Sequence, residues 1–185
     1  MIRFNFDCEK AIDAIEYIAR LRPGMTQYYI GKILFFADRE HILDYGRPII
    51  GDRYVAMEHG PVPSAVRNLL RLDGDYPDEI VDKLEARVTI EISGNKQHVF
   101  AKDGVEPSKR LSGSDKDYLR DSVQKYAHLS FKELREISHE DPAYAEAWER
   151  IGTAANEMNI ELWLNQLEDA SVAKKQLIEN TRCAA

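Results

Sequence analysis

Residues 33–70, ILFFADREHILDYGRPIIGDRYVAMEHGPVPSAVRNLL, change backbone habit twice. The first part continues from Ile30. Ile30, Ile33, Leu34 and Ala37 share one helical face, and Phe36 widens it. The run ILFFA makes this helix unusually apolar, so it is expected at the centre of the core. Thr26 is placed to cap its start. Gly46, just after Tyr45, is placed to end it in the left-handed conformation that glycine adopts without a Cβ penalty. A connector leads to an extended piece, Arg53 to Glu58. Gly60-Pro61-Val62-Pro63 then runs into SAVRNLLRL. This reads as a helix start, because the N–H groups of a first turn have no intrahelical partner and proline is tolerated there. Val62, Val66, Leu69 and Leu70 fall on one face of that helix, and Arg67 and Arg71 lie together on the other.

Towards the N-terminus, Ile2, Phe4 and Phe6 alternate with polar residues and predict a short strand. Asp7 can cap a helix to about Leu21, with Ile12, Ile15, Ile18 and Ala19 inward and Arg22-Pro23-Gly24 as its end. Towards the C-terminus, Asp73-Gly74-Asp75 is a break, and Pro77 opens a short helix through Leu84. Residues 88–92 (VTIEI) and 97–101 (QHVFA) alternate on either side of a Gly-Asn turn, which predicts a hairpin. A loop with Pro107 leads to a helix over Asp115–Ala127, capped by Ser112 or Ser114. Ser130-Phe-Lys-Glu133 matches a capping box, with Leu129 and Leu134 as its hydrophobic staple. Asp141 caps a helix from Pro142 to about Ile151, closed by Gly152. A last helix, about 155–180, places Ile160, Trp163, Leu164, Leu167 and Ala170 on one face.

The expected fold class is therefore α+β. It is a mostly helical single domain with a small antiparallel sheet built on the 88–101 hairpin, which pieces 2–6 and 53–58 can join. The domain spans 1–152. Residues 153–185 form a helical extension packed on the domain or on a partner. At 185 residues and about 150 per domain, no second domain is needed.

Composition narrows the function. The formal charge is −7, divided as +1 over residues 1–72 and −8 over 73–185. This argues against direct nucleic-acid binding, which needs a basic footprint. The acidic half is either a solvated surface or an attraction for a basic partner. No apolar run approaches the roughly 20 residues of a membrane span. The opening MIRFNFDCEK lacks the apolar stretch of a signal peptide. Cys8 and Cys183 form neither a disulfide framework nor a zinc spacing, so a cytoplasmic protein with reduced thiols is expected.

A search for chemistry finds no HExxH, P-loop, GxGxxG or GxSxG pattern. His139-Glu140-Asp141 are consecutive, which rarely lets three ligands converge on one ion, and Asp141 already serves as a cap. Gly60 precedes a helix, but Pro61 and Pro63 remove two of the N–H donors an anion would need. Glu58 and His59 are neighbours in an extended segment and point to opposite faces. Neither catalytic residues nor a cofactor or metal are expected. Trp163 packs on the chain's own body or on a partner, where tryptophan is favoured.

Two stretches together resemble a known family, the Panacea domain, also called the antitoxin SocA-like or phage-associated GepA-like domain. Lys32 to Asp38 is similar to its "K-x-L-Y-x-A-D" helix. Gly46 to Ala56 is similar to its "G-x-x-I-x-G-D-x-Y-x-A", and Gly60-Pro61-Val62 to its "G-P-V". Residues 111–148 are similar to its closing segment, with Ser138-His139 at "S-H" and Tyr144 where the family often has tryptophan. The resemblance spans about residues 28–150. It implies an antitoxin of a bacterial or prophage toxin–antitoxin pair, not an enzyme, whose partner is a cognate toxin. The family's toxins are diverse, so the domain does not name the toxin. Rigid turns at Gly51-Asp52 and Gly60-Pro61-Val62 would hold a preformed surface. The partner-binding candidates are Asp52, Arg53, Tyr54, His59, Gly60, Pro61, Val62, Arg67 and Trp163. The terminal Ala184-Ala185 resembles a bacterial degradation tail and is a candidate contact for a cellular protease. Two other functions stand beside this one. They are an adaptor module of a phage-related system without a toxin, and a metal-dependent hydrolase using His59 and His139.

Overall fold

The computed structural model describes residues 2–73, 76–106, 109–150 and 154–183, with side chains through residue 179. Gly74, Asp75, Pro107, Gly152 and Ala184-Ala185, all used in the sequence reading, lie outside the described residues. Helix α1 (Cys8–Leu21) starts at Asp7, whose carboxylate accepts the Lys10 N–H at 2.9 Å. Helix α2 (Gln27–Tyr45) follows, and every residue from Ile30 to Asp38 is buried. A helix that is apolar nearly all round has no solvent face and must be surrounded. Helix α5 (Gly113–Tyr126), helix α3 (Ser64–Arg71) and the sheets surround it. Gly46 ends α2 at φ 65°, and its N–H donates to the Ile42 carbonyl.

The 88–101 hairpin is present as β4 (Val88–Ser93) and β5 (Lys96–Ala101). Its third strand is the short β1 (Met25–Thr26), in the order β1-β5-β4. The two extended pieces do not join it. Residues 2–6 form no ladder, although Ile2 is buried. Ile2 N–H donates to the Glu161 carboxylate, and Asp7 N–H to the Ile50 carbonyl. Segment β2 (Tyr54–Met57) belongs to a second sheet with β3 (Gly60–Pro63) and β6 (Asn156–Glu157), in the order β3-β2-β6.

Strand β3 corrects the expected helix start. Gly60–Pro63 pairs residue by residue with β2, from Met57↔Gly60 to Tyr54↔Pro63. Two prolines in a strand are tolerated because β3 is an edge, where a missing N–H breaks no ladder on the open side. Helix α3 begins only at Ser64, so Val62 is a strand residue and not part of its apolar face. Its cap is non-local, because the Asp52 carboxylate accepts the N–H groups of Ala65 and Val66 at 2.9 and 2.8 Å. Helix α4 (Asp78–Arg87) follows Pro77 as expected.

Of the two serines, Ser112 caps α5, in a reciprocal box with Asp115. The box at Ser130 and Glu133 opens helix α6 (Phe131–His139), and Asp141 caps helix α7 (Pro142–Glu149). The long final helix is the second correction. The segment forms β6, a 3₁₀ helix over Ile160–Gln166, and helix α8 (Ala170–Cys183). Trp163 explains why. Its side chain is only 1% exposed, it packs edge-on against Phe35, and its indole N–H donates to Asp141 at 3.0 Å. Pairing of β6 with β2 and insertion of Trp163 next to Asp141 require a chain that turns within ten residues. One straight helix would carry Trp163 past this contact.

Candidate functional site

The second sheet rests on α2, with α6 and α7 beside it. Two ionisable residues of α2 reach under it. Asp38 is fully buried; it accepts the Ile49 N–H at 2.7 Å and the Tyr54 hydroxyl at 2.8 Å. Burial pushes its carboxyl up to about 6, against these two hydrogen bonds. Lys32 is also buried, and its ammonium donates to the Pro61 carbonyl at 2.9 Å. Burial pushes it down to about 6, and the Arg135 guanidinium adds to the shift. Thus Asp38 holds the base of the β2–β3 hairpin and Lys32 holds the end of β3.

Both glycine turns are sterically required. Gly51 has φ 74°, and a Cβ there would overlap the Asn5 carbonyl. Gly60 has φ 99°, and a Cβ there would overlap Lys32 Nζ and Ser138 Oγ. The hairpin tip therefore lies directly on Lys32 and α6. Tyr144 donates to the Met57 carbonyl at 2.9 Å, and Arg135 Nε donates to the Glu58 carbonyl at 3.3 Å.

Glu58 and His59 form the exposed tip. Ring contacts border it. The His59 ring lies 5.3 Å from Phe131, which is 45% exposed and in turn 4.7 Å from Tyr28. His139 lies 4.4 Å from Tyr144, and Tyr144 stacks on Trp148, which is 47% exposed. Burial holds His139 below the ordinary imidazole range, with Arg135, Lys32 and His59 adding to it. A rigid backbone tip ringed by partly exposed aromatics is suited to protein contact, where aromatic anchors carry much of the affinity.

The nine sequence candidates divide between scaffold and surface. Arg53 and His59 are exposed, and Val62 and Arg67 are half-buried. Asp52 caps α3, Tyr54 bonds Asp38, Gly60 and Pro61 receive Lys32, and Trp163 packs inside against Phe35. These five are held in the framework rather than presented at the surface. The residues missed as site candidates are Lys32, Asp38, Phe131, Arg135 and Ser138. Lys32 and Asp38 had a signal, since both flank ILFFA in the stretch of α2 that is buried all round. A second buried network ties α1, α2 and α5. Asp115 accepts from Lys10 at 2.8 Å and Arg47 at 2.9 Å, and His41 bonds the Arg47 carbonyl.

His59 and His139, the pair a hydrolase would use, do lie near one another. Among the described residues no carboxylate forms an ion pair with either, and no group of three or more His, Cys, Asp or Glu could hold a metal ion. No helix of the described residues is long and apolar enough to cross a membrane.

The depressed Lys32 has a measurable consequence. Its folded-state pKa lies below the ordinary 10.5, so the unfolded chain binds the extra proton between about pH 6 and 10.5. Stability therefore rises with pH across that window, by up to about 1.4 kcal/mol per unit. Lys32→Met is expected to be more stable than the parent at pH 6 and to lose that advantage towards pH 9. Urea denaturation at several pH values checks this, and parallel curves for the two proteins would refute it.

A family model described as antitoxin SocA-like, Panacea domain, matches residues 30–145, more than half of the chain. The match runs from the buried part of α2 through the hairpin and α6 into α7. No curated protein and no solved structure matches the chain.

Proposed function

The chain belongs to the antitoxin SocA-like, Panacea-domain family, and from that membership we propose that it neutralises a cognate toxin by direct, stoichiometric protein binding. The contact surface is the β2–β3 tip together with the adjoining face of α6 and α7. The observation that carries this placement is the pair of partly exposed aromatics, Phe131 and Trp148, beside a tip fixed by Lys32, Tyr144 and Arg135. Large exposed aromatics on a rigid frame lose little conformational freedom on association, so more of their burial appears as affinity. His59 supplies a polar contact at the edge, the buried candidates hold the frame, and Arg53 lies at the opposite end of the hairpin, where its carbonyl accepts the Ser64 N–H. A bacterial or prophage pair of this kind acts in the cytoplasm, which is where the reading places the chain.

The test is growth with the protein encoded next to this gene. The neighbour alone is expected to arrest growth, and co-expression of this chain to restore it with a stable complex on purification. Phe131→Asp is expected to abolish rescue while the purified variant retains its helical circular dichroism and cooperative melt. A harmless neighbour, or rescue without a complex, would contradict the reading.

A further inference from the structure

Four basic groups from three elements meet beneath and beside the hairpin tip: Lys32 from α2, His59 from the tip, and Arg135 and His139 from α6. Arg135 is the fixed charge among them, and burial makes Lys32 and His139 harder to protonate than free side chains. Arg135 weighs on Lys32, and Arg135, Lys32 and His59 all weigh on His139. Several cations that reach into the body of the protein are answered by carboxylates. Lys10 and Arg47 hold Asp115, Arg87 holds Asp13, and Arg39 reaches Asp141 and Glu40. Among the described residues, no carboxylate pairs with any of these four groups. Arg135 donates, among the described residues, only through Nε, to the Glu58 carbonyl at 3.3 Å. Among the described residues, His139 Nε2 and the hydroxyl of neighbouring Tyr28 are buried with no hydrogen-bond partner. A buried unpaired polar atom is costly, and a group that supplies a partner for it removes that cost.

We infer that the surface between the β2–β3 tip and α6 receives a carboxylate, and that the partner presents an Asp or Glu side chain to Arg135 and His59 beside an apolar residue seated on Phe131. The inference rests on the binding role proposed above. A single carboxylate fits better than a polyanion. Glu58, Glu136 and Glu140 adjoin these groups in the chain and are exposed, so an extended phosphate backbone would be repelled. Arginine presents a planar fork to a carboxylate, which sets orientation as well as strength.

The probe is the blocked tripeptide acetyl-Leu-Glu-Leu-amide, with acetyl-Leu-Gln-Leu-amide as its neutral match, titrated into the isotope-labelled full chain. The glutamate peptide is expected to move the ring signals of His59 and His139 and the Arg135 Nε–H signal. The glutamine peptide should bind at least about tenfold more weakly. Arg135→Gln should remove the response and Arg135→Lys restore part of it. Equal binding of both peptides, no response at millimolar peptide, or tighter binding of inorganic phosphate at the same signals would overturn the inference. In cells the two ideas separate. Peptide binding with a harmless neighbour removes the toxin and keeps the site. Full rescue and an undiminished complex with Arg135→Glu removes the site and keeps the toxin.

Discussion

Asp38→Ala is expected to lose about 3–5 kcal/mol of folding stability, because it strands two buried donors, the Ile49 N–H and the Tyr54 hydroxyl. A domain of this size has about 5–15 kcal/mol in total, so the variant should be largely unfolded near body temperature. Asp38→Asn separates shape from charge. Its amide oxygen still accepts from Ile49, and the Tyr54 hydroxyl can turn to accept from its NH₂ group. A loss of about 1 kcal/mol is expected. The asparagine variant also changes the pH profile. The Asp38 carboxyl lies near 6 when folded, above its ordinary 3.8, so the folded state keeps a proton that the unfolded chain sheds between those values. The stability this confers is complete below about pH 4 and is lost as pH rises through 6. Asp38→Asn should be flat over that interval. Denaturant titration checks both variants. A small loss in Asp38→Ala would show that the hairpin is held by other contacts.

Gly60→Ala is expected to cost about 2–4 kcal/mol, from a left-handed backbone that alanine resists and a Cβ that overlaps Lys32 and Ser138. The hairpin tip must then lift from α6, so toxin binding should fall even at temperatures where the variant stays folded. Gly94→Ala is the matched control. It also has positive φ, at 60°, but nothing lies within 4 Å of its Cβ, so it should cost only about 1 kcal/mol and leave binding unchanged. Urea denaturation and calorimetric binding measure the two effects. Equal behaviour of the two variants would remove the special role given to Gly60.

Helix limits were legible wherever the caps are local. Asp7, Gly46, the Ser130–Glu133 box and Asp141 each act within a few residues of the end they satisfy. Strand β3 was not, because proline is permitted both in a first helical turn and on a sheet edge. What decides between them at Pro61 is Ala56 across the ladder, which no local pattern contains. The final segment failed for a related reason. Ile160, Trp163 and Leu164 keep a helix-like spacing inside a 3₁₀ turn, and only the Trp163–Asp141 hydrogen bond shows where the chain must bend. The family motifs cover the β2–β3 hairpin, and most of their residues are buried supports of it. The residues proposed as contacts, exposed Phe131 and half-buried Arg135, come from a capping-box helix whose sequence reads as an ordinary amphipathic surface helix.

Hydrogen exchange of the full chain, alone and with the neighbour-encoded protein, tests the central claim most directly. The account predicts added protection at residues 57–60 and 131–139, with the 88–101 hairpin unchanged. Protection confined to the 88–101 hairpin or to α8, with the tip and α6 exchanging as in the free chain, would contradict it.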